Sequence, residues 1–450
     1  MTLKELQKLD AQHIWHPLTQ HKTANSPLAI KKAQGNYLFD MAGKTYFDAI
    51  SSWYTCSYGH TNPVLTQAIK KQVDELHHVV FAGMTHEPAA RLSKKLIGIL
   101  PDNQQKLFFS ENGSTSVEIA LKMAFQYHFN RGEKRNVVIA LENGFHGDTF
   151  GAMSASGLSV YNGPFEDFFI DVKRIPVPTE ENLSEVLYLI DELTTQNQVA
   201  SFIYEPLVQG AAAMQMHRPE HLCQVLKCFQ EKGVLTIADE VMTGFGKTGY
   251  NFASEAMLNT PDMMCLSKAL TGGIMPMAIT TCTKKVYDAF YDDELARGFF
   301  HGHTYSGNPL GCAVAAAAID LLTSDAIQEN IQLITQSHKK HIKVYQSHNA
   351  VDSVRSCGVI LAIDLAIEME RYGSKRNEIF QWFMNHGVFL RPLGKTIYIV
   401  PPFTTSPQEL ELLYKALLVF LDEMTSKKPN FYSLLLGFKL KYGHFCNRIK

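Results

Sequence analysis

The sequence predicts an α/β protein: a large domain with a mainly parallel sheet flanked by helices, plus a small α+β domain assembled from both chain ends. Three observations carry this expectation. Short apolar runs alternate with helical ones through the middle of the chain, glycine-rich turns follow several of those runs, and the two ends share a mixed pattern of short extended pieces. The 450 residues suffice for a large core, and 46% hydrophobic with 19% charged residues excludes a disordered or fibrous polymer.

Residues 1–61 contain NYLFD (36–40) and KTYFDAI (44–50) between turn-forming Gly35 and Gly43, a pattern for a thin hairpin layer. Asn62 is an N-cap with Pro63 at the first helical position. Leu65, Ile69, Val73 and Leu76 follow at helical spacing, which predicts a helix over about 63–78. Extended and helical runs then alternate: KLFFS before STSVEIALKMAFQYH, NVVIAL before a glycine-rich turn, ASFIYEP before HLCQVLKCFQEK, then VLTIADE. Residues 62–325 are read as the large domain. Residues 326–426 hold a polar helix near 327–347 and extended pieces at VILAIDL, GVFLRP and TIYIVPP, and are expected to join the N-terminal hairpin. Residues 427–450 carry six Lys or Arg and no acid, and are read as a loosely packed basic extension.

The charge balance excludes several partners. With 42 basic against 44 acidic residues there is no field to hold a polyanion, so no nucleic acid is expected. No run of 18 apolar residues and no secretory leader pattern is present, so no membrane association is expected either. Eight scattered cysteines suit a reducing compartment, and the chain is read as cytoplasmic.

The chemistry gathers at strand ends. In VLTIADEVMTGFGKTG (234–249) an apolar strand ends at Asp239 and Glu240, where a doubly wound sheet presents ligand-facing groups. PDMMCLSKALTGG (261–273) ends similarly at Lys268. A lysine desolvated there loses its proton and attacks a carbonyl to form a Schiff base, and an acid such as Asp239 can keep a pyridine nitrogen protonated. FFSENGSTSVEIALKMA (108–124) breaks at Gly113 before a helix starting near Ser114, and the free amides of such a helix start seat a phosphate. LENGFHGDTFGAMSASG (141–157) sets Phe145 where its ring could stack on a flat ligand, with core packing as the alternative. FFHGHTYSGNPLGC (299–312) gathers His301, His303 and Thr304 in a loop read as phosphate-contacting; no carboxylate or thiol sits at ligand spacing, so no metal is expected.

With these residues in order, the chain resembles the class III, or ω-amino, branch of the pyridoxal phosphate-dependent aminotransferases of fold type I over about residues 10–424. Its recurrent pieces stand here as HIWHP (13–17), SSWY (51–54), GMTHEPA, ENGSTSVEIALKMAFQY, NGFHGDTFGAMS, EPLVQGAAAM, ADEVMTGFGKTG, SKALTGG, HGHTYSGNPLGCA and RPLGKTIYIVPP. The resemblance implies pyridoxal 5′-phosphate as cofactor, Lys268 as its Schiff-base lysine, Asp239 at the pyridine nitrogen and Phe145 on the ring face. It implies Gly113 and Ser114 at the phosphate, joined by His303 and Thr304 from the other subunit of a homodimer with shared sites. Trp53, Gly302, Leu18 and Tyr398 would contact substrate, and Arg391 would pair with a distant carboxylate.

HGDTFGAMS and RPLGKTIYIVPP favour members that aminate 8-amino-7-oxononanoate in biotin synthesis, with S-adenosyl-L-methionine as the expected donor and lysine as the alternative. Ornithine, γ-aminobutyrate or β-alanine aminotransferases are the nearest rivals, and a non-catalytic cofactor-binding protein the remoter one. Leu18 stands where the family commonly has an aromatic, Phe145 where tyrosine is frequent, and Lys247 where arginine is usual, which leaves the donor less determined than the acceptor.

Overall fold

The computed structural model describes residues 1–157, 159 and 162–426. The expectation for the basic segment 427–450 lies outside the described residues.

Seven strands form the central sheet: β1 (Gln104–Ser110), β2 (Val137–Leu141), β3 (Val172–Ile175), β4 (Val199–Tyr204), β5 (Leu235–Asp239), β6 (Met263–Leu266) and β7 (Ala278–Thr283). Their spatial order is β1-β7-β6-β5-β4-β2-β3, and every pairing is parallel except those of β7 with β6 and β1. β2, β4, β5, β6 and β7 are buried along their whole length, because helices cover both faces and leave no position for a polar alternation. The antiparallel β7 is not announced by the sequence. Its residues, AITTCT, lack a distinct turn signal after the Gly272–Gly273 pair.

Helix Gly113–Asn130 follows β1 directly. Asn112 caps it by accepting the Thr115 amide at 3.0 Å, and Val117, Leu121, Ala124 and His128 are buried along the face turned to the sheet. The expected helix after Asn62 runs Pro63–Glu75, with Asn62 accepting the Val64 amide at 3.0 Å. The polar helix in the C-terminal part runs Asp325–Gln346.

The two chain ends meet in one sheet. Ile30–Gln34, Tyr37–Asp40 and Thr45–Asp48 form an antiparallel meander, and Val388–Phe389 adds to it in parallel against Phe47 and Asp48. A second, three-stranded sheet joins Val351–Cys357, Ile360–Leu365 and Thr396–Ile399. Among the described residues, no single helix is long and apolar enough to cross a membrane.

Candidate active site

The parallel register fixes the centre of the site. Asp239 ends β5 opposite Cys265 of β6, and Lys268 follows three residues later at the same carboxyl edge. Lys268 opens a single 3-10 turn with φ +51, a left-handed backbone that side chains seldom adopt, and the Ser267 hydroxyl anchors the turn by donating to the Met277 carbonyl at 2.8 Å. Burial lowers the pKa of Lys268, against the opposing charges of Asp239 and Glu205, so the neutral amine is more accessible than on a solvated lysine. Its Nζ lies 5.1 Å from the centre of the Tyr54 ring.

Asp239 is buried, and its two oxygens are held differently. Oδ1 accepts the Val241 amide at 3.1 Å, and Oδ2 lies 2.7 Å from Nδ1 of the equally buried His146. The imidazole therefore stands behind the carboxylate and steadies its orientation. Glu205, just past β4, is another buried acid: it accepts the Phe145 amide at 2.9 Å and the Gly210 amide at 2.8 Å. Sequence reasoning gives neither His146 nor Glu205 a role, although both lie within motif segments. Their signal is a contact across 93 and 60 residues, which no local pattern carries.

The Glu205 environment sets up a pH effect. Desolvation raises its pKa from the ordinary 4.5 to about 7, with His146 opposing and Asp239 adding to the rise. The folded chain thus holds a proton that the unfolded chain releases near 4.5. Stability from this group is fully present below about 4.5 and is lost as pH rises through about 7. In the cofactor-free chain, Glu205→Gln is expected to remove a decline of the order of 3 kcal/mol across that window, measured by urea unfolding at a series of pH values. An identical pH dependence in the two proteins would contradict it.

A cradle lies beside these acids. A Cβ built on Gly113 would stand 2.7 Å from Val241 Cγ1, and one on Gly147 (φ +130) would stand 2.2 Å from the Ser114 hydroxyl. Both positions require glycine for close approach. The Ser114 hydroxyl accepts the Thr149 amide at 3.0 Å and exchanges a hydrogen bond with the Thr149 hydroxyl, which in turn donates to Glu118. The start of helix Gly113–Asn130 is thereby braced with its first amides at the carboxyl edge of the sheet. Phe145 is 43% exposed, and Val241, just past β5, packs against Gly113.

One cavity wall comes from the chain ends. Trp53 sits in a left-handed turn: Ser51, Ser52, Trp53 and Tyr54 all have positive φ, between 43° and 71°. Such a run costs about 1–2 kcal/mol per residue and persists only where its surroundings impose it. Here the Ser51 hydroxyl donates to the Val400 carbonyl at 2.7 Å, and the Ser52 hydroxyl to Asp48 at 2.7 Å. The Arg391 guanidinium lies 5.4 Å from the Trp53 ring centre. Leu18, Trp53, Arg391 and Tyr398 line one cavity, joined by Arg371, Tyr372, Arg376 and Leu393. Tyr398 is buried, and its ring is 6.0 Å from that of Tyr54, which links the cavity to Lys268.

The loop 299–308 is placed apart from this cavity. His303 Nδ1 contacts Glu111 at 2.5 Å and Nε2 meets His301 at 3.0 Å, while Thr304 and Gly302 are exposed. Open space surrounds Gly302, so nothing within one chain requires glycine there. Lys247, at the arginine position of the family pattern, is fully buried with Nζ donating to the Gly244 carbonyl at 2.9 Å; burial, then the charge of Lys268, lowers its pKa to about 7.

A mainly parallel sheet with a lysine and an acid at adjacent strand ends and a glycine-lined helix start suits a cofactor-dependent transferase, and the class III aminotransferase family model matches residues 18–420. The chain belongs to that family. It is 40% identical over 422 residues to the adenosylmethionine-8-amino-7-oxononanoate aminotransferase of Synechococcus elongatus, covering 92% of this chain and 99% of the relative. The protein of the same name from Geobacter sulfurreducens is 36% identical over 446 residues, covering 92% and 96%. Among solved structures, the adenosylmethionine-8-amino-7-oxononanoate aminotransferase of Methanocaldococcus jannaschii superposes with a TM-score of 0.89 at 35% identity, covering 93% of this chain and 99% of that one. An amine transaminase from an uncultivated Pseudomonas species, in its PLP-bound form, gives 0.85 at 28% identity, covering 91% and 98%.

Proposed function

We propose that this chain is a pyridoxal phosphate-dependent transaminase that converts 8-amino-7-oxononanoate to 7,8-diaminononanoate in biotin biosynthesis, with S-adenosyl-L-methionine as amino donor. The observation that carries the reading is the single path from Lys268, past Tyr54 and Tyr398, into a cavity ending at Arg391 and walled by Trp53. A long acid enters such a path with its amine-bearing carbons at the lysine and its carboxylate at the guanidinium. The near-full-length likeness to proteins of that name supports the same assignment.

Pyridoxal phosphate fits the residues present: the two glycines leave room that a Cβ would fill, a buried carboxylate and a desolvated lysine lie at adjacent strand ends, and Val241 packs at Gly113. Bound there, the cofactor supplies an electrophilic carbonyl and a ring that accepts electrons. Gly113 and Ser114 would hold its phosphate through the helix start, Asp239 would hold the proton at the pyridine nitrogen, and Phe145 would cover the ring. Lys268 Nζ would bind the cofactor's carbonyl carbon and would serve as the general base for the proton on the carbon that bears the substrate amine. Trp53 and Tyr398 exclude water from that transfer, while Leu18 borders the entrance.

The same reading makes the enzyme a cytoplasmic homodimer whose exposed Thr304 and half-exposed His303 complete the partner's phosphate site, with Gly302 at the edge of its substrate. The N-terminal helix Leu3–His13, which buries none of its residues within one chain, suits a dimer contact. A catalytically competent monomer in sedimentation would contradict this arrangement.

A two-stage half-reaction tests the activity. Holoenzyme mixed with S-adenosyl-L-methionine is expected to convert its visible cofactor band to the amino form, and 8-amino-7-oxononanoate to restore it. Conversion by lysine alone would change the donor. Conversion by ornithine, with no recovery on adding the oxo-acid, would assign the chain to another ω-aminotransferase.

A further inference from the structure

Three guanidinium groups converge on the cavity that Trp53 walls, and among the described residues none of them has a carboxylate at ion-pair distance. Arg391 lies against Trp53. Arg376, in the first turn of helix Ser374–Asn385, donates through Nε to the Pro392 carbonyl at 3.1 Å, with its guanidinium 5.3 Å from the Tyr372 ring centre. Arg371 donates to the Ala211 carbonyl at 2.8 Å. Acids of the neighbouring sheet are already engaged: Asp364 by Arg355, and Asp352 by Lys395. Burial, then the charge of Arg391, holds Arg376 below its ordinary range, opposed by Tyr372 and Tyr398 and aided by Arg371.

Like charges gathered in a partly dry cavity repel one another unless an anion joins them. Leu18, Pro392, Leu393 and the rings of Trp53, Tyr372 and Tyr398 complete the lining, apolar apart from the two phenols, so the complementary ligand is an alkyl chain with a terminal carboxylate. We propose that Arg376 is a second carboxylate-binding residue, which with Arg391 grips the distal carboxylate of the acceptor and makes this cavity a site for medium-chain carboxylates whether or not they carry an amine. The same pair selects against the donor at this end, since a sulfonium or ε-ammonium gains nothing beside two guanidinium groups. Arg376 thus separates the binding of the two substrates that one site must take in turn.

The inference rests on the acceptor assigned above, but its probe does not. Nonanoate is the probe, with nonylamine as the chain of similar length that lacks a carboxylate, measured as inhibitors of the holoenzyme. Arg376→Gln is expected to weaken nonanoate about tenfold to hundredfold, as loss of a charge-assisted contact does. It is expected to raise KM for the oxo-acid acceptor similarly, with a much smaller change in kcat. Arg376→Lys is expected to recover part of the nonanoate affinity, and nonylamine to bind the variants no more weakly than the unaltered enzyme. Retention of the visible cofactor band shows that a variant has folded. Unchanged nonanoate affinity in Arg376→Gln would overturn the proposal. If instead 8-amino-7-oxononanoate is not a substrate of the unaltered enzyme, yet nonanoate binding still depends on Arg376, the acceptor assignment fails and the carboxylate site stands.

Discussion

Alanine in place of Lys268 is expected to lower turnover about 10⁴-fold, the upper range for losing a positioned general base, because in the proposed role the same nitrogen would also carry the covalent attachment. No neighbouring amine substitutes for it. Lys247 is the nearest candidate by charge, but its Nζ is bound to the Gly244 carbonyl within the buried turn that follows β5. Single-turnover mixing with the donor measures the loss. Borohydride reduction followed by peptide mapping gives an independent readout: label on the peptide containing residue 268 in the unaltered enzyme, and none there in the variant. Label retained on another lysine of the variant, with turnover near the unaltered rate, would remove Lys268 from its assigned role.

Asp239→Asn is expected to cost about 10²–10³ in turnover, the range seen when a preorganised charge is removed from a low-dielectric site. Asparagine keeps the shape and can still bond His146 and the Val241 amide, so the fold is expected to survive while the negative charge is lost. A neutral amide no longer favours a proton on the pyridine nitrogen. The visible band of the bound cofactor should therefore shift along with the rate. A large rate loss with an unmoved band would point to displacement of the ring rather than to loss of charge.

The central sheet was legible because its strands are buried on both faces and read as unbroken apolar runs, and because the residues ending them, Asp239 and Lys268, are polar where such runs stop. Gly113 before the helix start marked a phosphate seat for the same local reason, whereas the need for glycine at 147 comes only from its close approach to Ser114. What escaped was non-local. Nothing near His146 announces that its ring backs Asp239, and nothing near Glu205 shows that it holds the amide of Phe145. SSWY reads as a family piece that carries Trp53, yet nothing in it shows the left-handed turn that hydrogen bonds to Val400 and Asp48 hold in place. Arg376 sits in a segment, RYGSKRNEIF, that lacks a family motif; only the cavity unites it with Arg391.

The pairing of Val388–Phe389 with Thr45–Asp48, and of Ser51 with Val400, has a consequence for biosynthesis. During translation at about 5–20 residues per second, the amino-terminal meander leaves the ribosome some tens of seconds before the strand that completes it. Through that interval the edge of Thr45–Asp48 is unpaired, and the strained turn carrying Trp53 has no carbonyl to hold it. Lys268, the buried acids and the glycine-lined helix start can be assembled in the nascent chain before the cavity wall that carries Trp53 exists. Chaperone dependence and truncation sensitivity should accordingly concentrate at the last strands made.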